Sequence, residues 1–67
     1  MNTLNGTVIE FDREVGLGVV ETGEGTRFPF HCIEIADGTR EIAVGTHVTF
    51  HRLAKLGRYE AAAIRSR

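Results

Sequence analysis

Two short stretches on either side of a glycine-bounded turn constrain this chain most. Val15-Gly16-Leu17-Gly18-Val19-Val20 is followed, after Thr22-Gly23-Glu24-Gly25, by Phe28-Pro29-Phe30-His31-Cys32. β-branched and aromatic residues flanking such a turn read as a β-hairpin. Side chains alternate across a strand. Gly18 and Val20 therefore share one face of the first strand, and Leu17, Val19 and Glu21 share the other. Phe28 and Phe30 share one face of the second strand, opposite Arg27, Pro29 and His31. The hairpin thus has an aromatic inner side and an outer side that is aliphatic with three charged or titratable groups, Glu21, Arg27 and His31.

The rest of the chain continues the pattern. Residues 4–12, 17–21, 27–32, 47–53 and 58–65 read as β-segments, separated by turn signals at Gly16, Gly23-Glu24-Gly25, Asp37-Gly38, Gly45 and Gly57. Several short strands at this spacing predict an all-β sandwich or barrel. Glu60-Ala61-Ala62-Ala63 is the competing signal, since these are good helix formers. A helix that short nucleates poorly alone, and a final strand closes a barrel and removes an exposed edge, so a fifth strand is expected. The long connection over 33–44 has room for one helical turn near Ile33-Glu34-Ile35. The expected core is Val8, Val20, Phe28, Phe30, Ile35, Val48, Phe50 and Ile64. The first strand does not alternate cleanly: Val8 and Glu10 share a parity, although one belongs inside and the other outside. A bend or bulge reconciles them, but the sequence does not locate it.

At 67 residues the chain has room for a single domain, residues 1–67. A domain of this size buries only about 60% of its unfolded surface. The formal net charge is −1, with Lys55 the single lysine. Strong nonspecific phosphate binding, which needs many cations on one side, is therefore not expected. There is no apolar run of the ~20 residues a membrane helix needs, and residues 1–5 lack the basic start and hydrophobic run of a signal peptide. A lone cysteine, Cys32, forms no internal disulfide, which fits a reducing cytoplasm.

The glycine and histidine spacing of the hairpin resembles the two nucleic-acid-binding strands of the cold-shock domain, a small OB-fold family. That family's usual motifs are Lys-Gly-Phe-Gly-Phe-Ile and Val-Phe-Val-His-Phe. Gly16, Gly18 and His31 match them. The basic residue becomes Val15, the first two stacking phenylalanines become Leu17 and Val19, the two buried valines become Phe28 and Phe30, and the remaining stacking positions become Pro29 and Cys32. Upstream, Gly6-Thr7-Val8-Ile9-Glu10-Phe11-Asp12 is similar to the family's Gly-x-Val-Lys-Trp-Phe-Asn. Gly6, Val8 and Phe11 are kept, and Glu10 stands in place of Trp. Ile35, Gly45-x-x-Val48-x-Phe50 and Ala61-Ala62-Ala63-Ile64 follow the later pattern. The resemblance implies a five-stranded antiparallel Greek-key barrel of the OB type.

The resemblance also implies a nucleic-acid-binding module for single-stranded RNA or DNA. Its interface would comprise Phe11, Leu17, Val19, Arg27, Pro29, His31, Lys55 and Arg58. The family lays bases on exposed rings, and each such stack contributes about 1–3 kcal/mol. Losing three platforms removes on the order of 3–9 kcal/mol in a naive sum, so binding is expected to be weak. Arg27 can stack on a base as well as meet phosphate, whereas Glu10 repels a phosphate backbone. The alternative is a protein-interaction or self-association module, including a homodimer, on a degenerate cold-shock barrel. Glu10 and the apolar group Leu17, Val19 and Pro29 motivate it. A Glu10 carboxylate in the middle of the platform favours this alternative.

Other chemistries fit poorly. Gly16 and Gly18 precede a strand, whereas a dinucleotide-binding fingerprint needs a helix next. His31 and Cys32 are adjacent in a strand and point to opposite faces, and a structural zinc needs four ligands. His47 and His51 stand too far apart along a strand to chelate one ion. The His31–Cys32 pair has no third orienting group for nucleophilic catalysis. No enzyme activity, cofactor, metal, membrane contact or small-molecule substrate is expected.

Overall fold

The computed structural model describes residues 3–67. Its organising element is β1 (Thr3–Asp12), which changes partner halfway along. The first half pairs with β4 (His47–Lys55), ending with Thr7 opposite His47. The second half pairs with β2 (Leu17–Glu21), ending with Asp12 opposite Leu17. β2 pairs in turn with β3 (Arg27–His31), and β4 with β5 (Arg58–Ser66). All pairings are antiparallel, in one five-stranded sheet of order β3-β2-β1-β4-β5. The return of β4 to the side of β1 is the Greek-key order.

The bulge lies at Ile9. Val8 pairs with Val20 and Glu10 with Val19, so Ile9 is the extra residue. The insertion reverses the parity of everything after it. Val8 is fully buried, Glu10 and Asp12 face out, and Phe11 returns to the inner side. The loop before β4 takes up the backbone at the change of partner. The Val8 N–H donates to the Thr46 carbonyl at 3.0 Å, and the Gly45 N–H donates to the Val8 carbonyl at 2.7 Å.

The sheet curls until β5 packs against β3, yet no ladder joins these two strands. The five antiparallel strands are as expected, and the sheet curls as in a barrel without a ladder to close it; it is fastened at one end instead. Pro29 leaves β3 one donor short, as suits an edge strand. The fastening is the segment after β3. A short 3₁₀ turn over Cys32–Glu34 takes the place of the end of the expected third strand and is the helical turn expected near Ile33-Glu34-Ile35. Ile35 then forms a parallel bridge with Ile64, and the Ala36 N–H donates to the Ile64 carbonyl at 2.7 Å. The Ala63 N–H donates to the Glu34 carboxylate at 3.2 Å. The Ala-rich C-terminal run is strand throughout, as expected.

All eight expected core residues are buried, and Ala61 joins them. The rings of Phe28 and Phe50 meet at 5.4 Å with a 58° tilt. Gly18 makes room for Phe30: a Cβ there would lie 2.4 Å from the Phe30 ring. Gly16 closes the β1–β2 turn at φ 72, under the Cys32 sulfur. In that turn the Asp12 carboxylate accepts the Glu14 N–H at 3.0 Å.

Candidate nucleic-acid interface

The registers of β1, β2 and β3 lay the outer side chains in three rows. Asp12, Leu17 and His31 form one row. Glu10, Val19 and Pro29 form the middle row. Thr7, Glu21 and Arg27 form the third. Leu17 is 45% exposed, Val19 and Pro29 are half-buried, and His31 and Arg27 are exposed, while Phe28 and Phe30 lie inside. The hairpin therefore has the facing that its alternation predicts.

β5 extends this surface. A depression of about 370 Å³ spans Glu10, Leu17, Val19, Pro29 and His31 and is bounded by Arg58 and Glu60 of β5. Arg58 thus joins the predicted group directly. Lys55, across the Leu56-Gly57 turn from Arg58, lies beside it and pairs with Glu60 at 3.6 Å. Phe11 does not join the group. Beyond the bulge it pairs with Gly18 and stacks on Phe30, with ring centroids 6.0 Å apart and planes within 9°. Its half-exposed edge faces the loop at Arg13, Glu41 and Ile42.

The surface charge is nearly balanced. Arg27, Lys55 and Arg58 face Glu10, Asp12, Glu21 and Glu60. Two of the three cations already have partners, since Arg27 Nε donates to Glu21 at 3.1 Å and Lys55 meets Glu60. Among the described residues Arg58 forms no ion pair, and Glu10 forms neither an ion pair nor a side-chain hydrogen bond. Away from this face, the Thr39 backbone N–H, with its hydroxyl, holds the Asp37 carboxyl below its ordinary value.

Two contributors were not singled out from sequence. Glu60 shares strand parity with Arg58, a signal that the helix-like run around it masks. The Glu21–Arg27 pair follows from a hairpin register in which both residues point outward.

No family model matches this sequence, and no curated protein matches it. Among solved structures, that of the Drosophila Unr cold-shock-domain segment superposes with a TM-score of 0.82 at 27% identity. The likeness covers 98% of this chain and 27% of that one. This chain folds as a cold-shock domain. Of its departures from the family motifs, Glu10, Leu17, Val19 and Pro29 lie on the outer face of β1 to β3, while Phe28 and Phe30 lie in the core; of its agreements, Gly16, Gly18, Val8 and Phe50 lie in turn and core, and His31 lies on the outer face. The cold-shock fold is kept, with Leu17, Val19, Pro29 and Glu10 on the surface where the resemblance expects stacking rings.

Proposed function

We propose that this cold-shock domain is a nucleic-acid-binding module for single-stranded RNA or DNA, with a weakened, aliphatic platform on the outer face of β2 and β3. It acts as a binding module in the cytoplasm. The carrying observation is the single continuous surface formed by Leu17, Val19, Pro29 and His31, bordered by Arg58, which has no ion-pair partner among the described residues. Aliphatic groups give bases apolar contact without a π-face, and a guanidinium adds stacking and phosphate contact. His31 is exposed on that face, while Cys32 packs against the core, so the two do not meet at a common substrate. The test is fluorescence anisotropy of labelled poly-dT and of a mixed-sequence RNA at low salt. Saturable binding within tens of micromolar protein supports the reading, and no binding in that range removes it.

One observation favours a second reading. Glu10 occupies the middle row beside Val19 and Pro29, where a carboxylate works against a passing phosphate chain. The same face would then serve a protein partner or a second copy of the chain. Sedimentation velocity separates the two readings: a monomer at all concentrations counts against self-association, and a concentration-dependent dimer counts for it.

A further inference from the structure

Glu10 is the uncommitted acceptor in the depression. It is exposed, lies opposite Val19, and has no ion-pair or side-chain hydrogen-bond partner among the described residues. The other carboxylate bordering the depression, Glu60, already meets Lys55. The volume of about 370 Å³ lies at the lower end of what small-molecule sites occupy, roughly 300–1,000 Å³. Leu17, Val19 and Pro29 supply apolar wall, and the Arg58 guanidinium can lie against a base plane.

An ionised carboxylate only accepts hydrogen bonds, and it can accept two side by side. Guanine presents two adjacent donors on its Watson–Crick edge, N1–H and the N2 amino group. Cytosine and adenine present one amino group next to a ring acceptor. Uracil and thymine present one N–H between two carbonyl oxygens, which a carboxylate repels. We propose that Glu10 makes this interface selective for guanine over uracil or thymine by accepting from guanine N1–H and N2–H. Stacking rings discriminate little, because every base has a π-face. Exchanging a ring for an acceptor trades general affinity for edge reading. This inference rests on the single-strand-binding reading above.

The test compares three labelled RNA octamers at low salt: alternating uracil–guanine, all-uracil, and alternating uracil–inosine. Inosine keeps N1–H and lacks the N2 amino group. A good bidentate contact is worth about 1–3 kcal/mol of discrimination. The wild-type chain should therefore prefer the guanine strand over all-uracil by at least about fivefold, with the inosine strand between them. Glu10→Leu should abolish the preference and tighten all-uracil binding, since one anion leaves the face. Equal affinity for guanine and uracil strands overturns the inference, as does a preference that survives Glu10→Leu. In both cases strand binding itself stands. No binding to any of the three overturns the inference and the function together.

Discussion

At the tip of the β4–β5 hairpin, Leu56 is fully exposed with φ 45, followed by Gly57 at φ 84. Two positive φ values in a two-residue loop make a type I′ turn, which favours Asn-Gly. A leucine side chain there is strained and buries nothing. Leu56→Asn should stabilise the domain by about 0.5–1 kcal/mol, a rise in Tm of roughly 2–8 °C. Gly18 is the opposite case. Gly18→Ala drives a Cβ into the Phe30 ring and the Glu10 carbonyl and should cost about 1–3 kcal/mol. Gly23→Ala, in an open turn with nothing within 4 Å, should be close to neutral in the same thermal melts. On the proposed interface, Glu10→Trp with Leu17→Phe and Val19→Phe supplies rings at about 1–3 kcal/mol per stacked base. Oligonucleotide affinity should rise at least about tenfold, equivalent to ~1.4 kcal/mol. An unchanged Kd would mean that the face is not a lapsed stacking platform. Much at this scale was legible: the inward aromatics and outward aliphatics of the hairpin follow from parity alone. Phe11 was not, because its facing depends on an insertion two residues earlier.

Elements were legible where they are local and obscure where a distant segment decides them. The need for an insertion in β1 shows in the clash of parity between Val8 and Glu10. Its position at Ile9 is set by Thr46 and Gly45, which hold the Val8 backbone from nearly forty residues away, and no local pattern reports that. β4 outruns its expected end because Ala54 and Lys55 are weak strand formers held by pairing with Tyr59 and Arg58. β5 carries a second irregularity opposite Thr49 and His51, with Ala63 at φ 53. Ala63 is held there in part by the Glu34 carboxylate. Glu34→Ala should cost about 1 kcal/mol, seen as a lower urea midpoint. It should also speed hydrogen exchange at Ala63 and Ala36 before the rest of the sheet, because this contact fastens β5 to the segment after β3. Uniform exchange across all strands in that variant would show that the fastening does not open separately.

For the whole molecule, strand count and order and the core were within reach of sequence. Closure was not, since it depends on whether β3 and β5 exchange hydrogen bonds or merely pack. Charge has a whole-molecule consequence. The proposed interface sets Arg27, Lys55 and Arg58 against four carboxylates, and two of these cations are already paired. Each phosphate neutralised on a single strand contributes about −0.7 to the slope of log K against log salt. Three contacts give about −2, so the measured slope should be no steeper than that. A markedly steeper slope would place the strand on another, more basic surface. Among the described residues no helix is long and apolar enough to cross a membrane.

The decisive measurement is an amide chemical-shift titration of the ¹⁵N-labelled domain with a single-stranded octamer at low salt. The largest changes should gather at Glu10, Leu17, Val19, His31 and Arg58, with smaller ones at Glu60 and little at residues 36–46. Changes centred on that loop, or none at millimolar strand, would contradict an interface on the outer face of β2 and β3.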